Sequence, residues 1–152
     1  MSADGPSGAG THSLVVPAPA KVNLFLRVVG AREDGYHDLE SLIVPLSLHD
    51  TVTCRESGAL SLRIAGGDPS LSDGPDNLAV VAALALAEKS GALSGADIEL
   101  TKRIPVAAGL GGGSAAAAAV LSALNDLWAC GLGAPALLEV AAKVRDNGGA
   151  VL

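Results

Sequence analysis

Residues 105–120 read PVAAGLGGGSAAAAAV, with four glycines in the five positions 109–113 followed by five consecutive alanines. Glycine loses the most freedom on ordering and weakens strand or helix interiors, whereas alanine is the best helix former. The boundary between the two therefore marks a turn that opens a helix. The segment before it, ADIELTKRI (96–104), alternates apolar and polar residues as a half-buried strand does. Strand, glycine turn and alanine helix thus form one unit. Such a unit has two physical uses. Exposed amides and the positive end of the helix dipole can hold an anion such as phosphate, with glycine allowing positive φ and close approach. Alternatively, glycine makes a tight turn, alanine permits close helix packing, and Ser114 is only a cap. Spacing alone leaves both open. It does exclude the GK[ST] phosphate loop and the GxGxxG dinucleotide fingerprint, neither of which is present.

The flanking elements set the fold class. KVNLFLRVV (21–29) and DLESLIVPLSL (38–48) read as strands, Pro45 implying an edge, a bulge or a strand end. TVTCRE (51–56) and LSLRIAG (60–66), separated by Ser57-Gly58, read as a hairpin. In the turn-rich DPSLSDGPDN (68–77), Asp76 or Asn77 is placed to cap a helix over 78–90. The alanine helix spans 114–129, and a third helix over 135–147 stops near Gly148-Gly149. This order predicts an α+β domain over 13–152, a mainly antiparallel sheet with helices packed on one face. Residues 1–12, rich in Gly, Ser and Ala, read as a disordered arm without the apolar stretch of a secretory signal.

Composition narrows the function. A net charge of −6 and no basic stripe argue against a nucleic-acid partner or an anionic membrane surface, although a local basic pocket is compatible with them. Residues 106–124 lack charge, but their glycines make a poor membrane span. The two cysteines, Cys54 and Cys130, are isolated and suggest neither zinc nor a disulfide framework, which fits a reducing cytoplasm. Lys102 and Arg103, just before the turn, can add positive potential, although alternation sends them to opposite faces.

Four segments occur in order: PAKVNLFL, REDGYHDLES, DNL and PVAAGLGGGSA. In order and approximate spacing the chain resembles the GHMP kinase superfamily and, within it, the 4-diphosphocytidyl-2-C-methyl-D-erythritol kinases, over about residues 16–133. The resemblance implies the amino-terminal domain of that fold, ATP and Mg²⁺ as cofactors, and transfer of phosphate to the 2-hydroxyl of a cytidine-diphosphate sugar alcohol. By the same resemblance Pro105, Val106, Ala107, Ala108, Gly109, Leu110, Gly111, Gly112, Gly113, Ser114 and Ala115 wrap the ATP phosphates. Ser114 is also placed to reach the metal, and Asn77 lies towards the nucleotide. Lys21 assists the catalytic centre. Asn23, on the same strand face by the two-residue period, together with Tyr36 and His37, contacts the substrate. Tyr36 offers a stacking face to the cytosine, and His37 offers hydrogen bonds.

The resemblance breaks at the end of the chain. The family's catalytic aspartate lies in an L-G-A-D-V-P-like turn, whereas this chain reads AAKVRDNGGAVL, leaving Asp146 as the nearest candidate base. The family's carboxy-terminal domain is not found in the sequence, so the expectation is feeble or no turnover by this polypeptide alone. Other readings are a different GHMP kinase, such as a mevalonate or homoserine kinase, and a non-catalytic nucleotide-binding module. GYH after the first strand favours the diphosphocytidyl substrate.

Overall fold

The computed structural model describes residues 12–33 and 35–147, with side chains to residue 144. Seven elements follow one another: β1 (Ser13–Ala31), β2 (His37–Ser57), β3 (Ser61–Ala65), α1 (Leu78–Ser90), β4 (Gly95–Thr101), α2 (Gly112–Leu127) and α3 (Ala134–Asn147). The strands form one sheet in the order β1-β2-β4-β3, antiparallel except for the parallel β3–β4 pair. The disordered arm read over 1–12 and the helix stop at Gly148-Gly149 lie essentially outside the described residues.

Alternation decides which face is covered. Val52 and Cys54 of β2, and Ala96, Ile98 and Leu100 of β4, are buried beneath the helices. On the opposite face Ser61 pairs with Asp97, and Arg63 with Glu99. α1 buries Ala79, Ala82, Ala83 and Leu86, a stripe at the helical period. α2 runs between the sheet, α1 and α3, burying Ala116, Ala117, Ala119, Val120, Leu121, Ala123, Leu124 and Asn125. Alanine along its length lets these neighbours approach closely. Asn125 closes the α2–α3 turn, accepting from the Leu132 amide and donating to its carbonyl.

Three sequence expectations are corrected. First, β2 and β3 are not a hairpin, because β4 lies between them. Ser57 pairs with Gly95 on one side of β4, and Ser61 with Asp97 on the other, so residues 58–60 cross the start of β4. A Cβ at Gly95 would lie 2.5 Å from the Ala59 backbone, which is why that crossing needs glycine. The alternating pattern marks the strands and their reversal but not the strand inserted later. Second, residues 38–48 and 51–56 are one continuous strand. Pro45 is tolerated because β2 has a second partner only from Thr51 to Ser57. Third, α2 starts at Gly112, not Ser114. Gly111, at φ 73°, is the N-cap and makes no side-chain cap, so Ser114 is not the cap.

β1 and β2 continue beyond the helices as a two-stranded ribbon. Its apolar residues Leu24, Val28, Leu39 and Ile43 are each more than half exposed.

Candidate phosphate-binding site

The glycine loop leaves β4 through a buried electrostatic knot. Asp50, fully buried, accepts the amides of Arg103 (2.6 Å) and Ile104 (2.8 Å) on Oδ1, and its Oδ2 accepts Lys102 Nζ. Lys102 is consequently buried, whereas Arg103 is exposed. The two basic residues do diverge as strand alternation requires. Asp50, to which the sequence reading assigned no role, is the group that turns the chain at Lys102–Ile104. Its signal in the sequence is faint, a lone aspartate inside a long strand.

From Pro105 to Leu110 the loop is largely exposed, and three residues at alternate positions have positive φ: Ala107 (57°), Gly109 (71°) and Gly111 (73°). Left-handed residues at alternate positions are one ingredient of the backbone nests that bind anions. Ala107 was not recognisable beforehand, because a side chain rarely takes this conformation. The amides of Gly112, Gly113 and Ser114 donate to no backbone carbonyl among the described residues; the first such bond at this end of α2 is Ala115 N to Gly111 O, 3.0 Å. Uncapped amides at the positive end of a 16-residue helix are suited to a polyphosphate. Ser114 is exposed on the first turn. It also lines a cavity of about 240 Å³ with Leu78 of α1, Ala117, Ala118 and Leu121 of α2, and Ala141 and Val144 of α3.

Lys21 joins this loop directly. Its amide donates to Leu110 O (2.9 Å), and its methylene stem lies against Gly111, where an added Cβ would be 3.1 Å from both Cγ and Cε. The lysine thus meets the loop twice, through its amide hydrogen bond and through the packing of its stem beside Gly111. Asn23 follows without an intervening bulge and shares the face of Lys21; Ser41 Oγ donates to its Oδ1 at 3.2 Å.

Asn77 is the N-cap of α1, accepting from Ala79 N (2.9 Å) and donating from Nδ2 to Ser72 O (2.7 Å). Its neighbour Leu78 lines the cavity beside Ser114. Tyr36 and His37 lie at the far tip of the β1–β2 ribbon, where His37 pairs with Ala31. Ten residues separate Lys21 from Ala31, roughly 30 Å along an extended strand, although a register shift at Asn23/Phe25 and another at Val28/Gly30 bend the path. Asp146 lies in the last turn of α3, two residues after Val144. No cluster of three or more metal-ligating side chains occurs among the described residues. Mg²⁺ does not require one, since it is commonly held by one or two protein oxygens together with substrate phosphates.

A model of the GHMP kinases N terminal domain matches residues 77–151, which include α1, the glycine loop and α2. A 4-diphosphocytidyl-2-C-methyl-D-erythritol kinase of Paramagnetospirillum magneticum is 49% identical over 134 residues, 87% of this chain and 46% of that protein. The chain belongs to the GHMP kinases. A Deinococcus radiodurans protein of the same name is 52% identical over 111 residues, 73% of this chain and 36% of its own length. A crystal structure of a 4-(cytidine 5'-diphospho)-2C-methyl-D-erythritol kinase superposes with a TM-score of 0.70 at 42% identity, covering 86% of this chain and 46% of that one. The chain thus spans about half the length of the relatives it matches. Within that half it has the amino-terminal fold of these kinases, as the sequence motifs implied. No helix among the described residues is long and apolar enough to cross a membrane.

Proposed function

We propose that this chain is the ATP-binding portion of a kinase that phosphorylates the 2-hydroxyl of 4-diphosphocytidyl-2-C-methyl-D-erythritol, a step in non-mevalonate isoprenoid precursor synthesis, and that it works in the cytoplasm. The observation that carries this reading is the junction of Lys21 with the glycine loop. The lysine expected at the reacting hydroxyl is hydrogen-bonded through its amide to the loop expected to hold the phosphates, with its stem beside Gly111.

The residues present suit MgATP. The loop has positive φ at three alternate positions, open amides on the first turn of α2, and an exposed Ser114 hydroxyl. In this reading residues 105–115 hold the polyphosphate, Asn77 and Leu78 border the nucleotide, and Ser114 is a ligand for Mg²⁺. When bound, MgATP supplies the phosphoryl group and the metal that offsets its charge. The protein's contribution to such a transfer is positioning and electrostatic stabilisation. Lys21 orients the attacking hydroxyl and offsets charge developing on the transferred group, while Asn23 fixes the polyol on the same strand face. Tyr36 stacks on the cytosine, and His37 hydrogen-bonds its edge, at the ribbon tip. Asp146 is the candidate acceptor of the hydroxyl proton. Turnover by this chain alone is proposed to be slow.

The reading is supported by relatives 49% and 52% identical whose names specify this kinase. A coupled ADP-release assay tests it with MgATP and the diphosphocytidyl substrate. ADP release that requires this substrate, is not supported by homoserine or mevalonate, and falls steeply but measurably in Lys21→Ala is the expected result. Saturable ATP binding with no substrate-dependent release at any enzyme concentration would favour a non-catalytic nucleotide-binding module.

A further inference from the structure

Lys102 is built into the fold with unusual care for a side chain that the proposed chemistry does not use. Its amide donates to Ala65 O at 2.8 Å. Three glycines make room around it. A Cβ at Gly66 would lie 3.0 Å from the Lys102 carbonyl oxygen, one at Gly67 would lie 2.7 Å from Lys102 Cβ, and one at Gly112 would lie 3.3 Å from Lys102 Nζ. The ammonium thus comes up beneath the first residue of α2, nearer to Gly112 than the carboxylate of its partner Asp50 does.

A cation at a helix N-terminus is unfavourable by itself, because it meets the positive end of the dipole. Asp50 offsets it, and the Asp50 charge is in turn held by the Arg103 and Ile104 amides. A buried ion pair is weak evidence of a stabilising role, since an apolar pair of similar volume often serves as well or better. The arrangement makes more sense as an oriented dipole, with its positive end under the loop and its negative end tied to the strand exit.

We propose that Lys102 and Asp50 are positioning residues for nucleotide binding: their buried pair fixes the glycine loop and presents positive potential, through the α2 N-terminus, to a polyphosphate seated there. This inference rests on the reading of the loop as a phosphate site. Neither side chain needs to touch the ligand. The pair acts on the phosphates and leaves the nucleoside untouched.

The test uses the whole chain and the double variant Asp50→Asn/Lys102→Gln, which keeps a hydrogen-bonding amide pair but removes both charges. Folding is followed by the fluorescence of Trp128, whose Nε1 donates to Gly95 O in the native state. Affinities for ATP, inorganic tripolyphosphate and adenosine are measured by calorimetry and NMR titration. The double variant is expected to melt closer to the unsubstituted protein than either single variant does. It should bind ATP and tripolyphosphate about tenfold more weakly, the scale of a charge at a partly buried helix terminus, with adenosine unaffected. Lys102→Arg, which keeps the charge, should retain most of the affinity and supports the proposal even if the double variant fails to fold. Unchanged tripolyphosphate binding by a folded double variant would overturn this inference alone. So would an equal loss for adenosine, or a loss in Lys102→Arg as large as that in Lys102→Gln. An unsubstituted protein that binds neither ATP nor tripolyphosphate overturns this inference and the phosphate-site reading together.

Discussion

Gly109 and Gly111 make a controlled pair for asking whether Lys21 and the glycine loop work as one unit. Both have positive φ, 71° and 73°, but a Cβ at Gly109 meets nothing within 4 Å, whereas one at Gly111 lies 3.1 Å from Lys21 Cγ and Cε. Alanine at either position carries the strain of a left-handed L-residue, roughly 1–2 kcal/mol. Melting should fall by roughly 2–4 °C per kcal/mol for a chain of this size. The two variants should therefore melt at similar temperatures, read by Trp128 fluorescence. Only Gly111→Ala must also push the lysine stem by a few tenths of an ångström, to reach the roughly 3.5–4.0 Å of ordinary carbon contacts. Because misplacements of about 1 Å in such sites cost on the order of a hundredfold in rate, a shift of tenths should cost about fivefold to tenfold in ADP release. The decisive comparison is a double-mutant cycle with Lys21→Ala, since contacting residues couple and independent ones add. Gly111→Ala should cost almost nothing further once Lys21 is alanine, whereas Gly109→Ala should add its full effect. Additivity for Gly111→Ala and Lys21→Ala would refute the reasoning, because it would mean that the loop and the lysine act independently.

Other consequences follow from the geometry. Asn77→Ala removes the α1 cap and should lower stability by about 1 kcal/mol in urea titrations. Gly95→Ala drives a Cβ into the Ala59 backbone at 2.5 Å; it should be among the most damaging single changes, about 4 kcal/mol or more, or leave no folded protein by circular dichroism. Burial pushes the Cys54 thiol from its ordinary value of 9.0 up to about 12. In the unfolded chain it ionises near its ordinary value, so the folded state binds more protons above that point and stability falls as pH rises from about 9 towards 12. Urea midpoints at pH 7 and pH 10 should show a drop that is smaller in Cys54→Val. At pH 8 a thiol reagent should modify half-buried Cys130 well before Cys54.

The parts of this fold that were legible in the sequence are those governed by local rules. α1 was placed by its cap and its run of apolar residues, and β4 leading into the glycine turn by alternation and glycine punctuation. β4's insertion between β2 and β3 was not legible, because strand adjacency depends on residues far apart in the chain. The candidate site divides in the same way. The loop and Lys21 were visible as residue types in order, and Asn23 by the strand period. Ala107 in the left-handed region was hidden, since alanine gives no warning of positive φ. Asp50 was hidden because its partners, Lys102, Arg103 and Ile104, lie more than fifty residues away. A charge inside a strand gains meaning only once the sheet brings those groups together.

The most direct measurement is backbone amide chemical-shift mapping of the isotopically labelled chain during titration with MgATP and, separately, tripolyphosphate. The largest saturable shifts should fall on Gly109 to Ala115 and on Lys21, with both ligands moving the same amides. Saturation that perturbs other surfaces and leaves these amides still, or no saturable shift in a folded sample, would contradict the assignment of this loop as the phosphate-binding site.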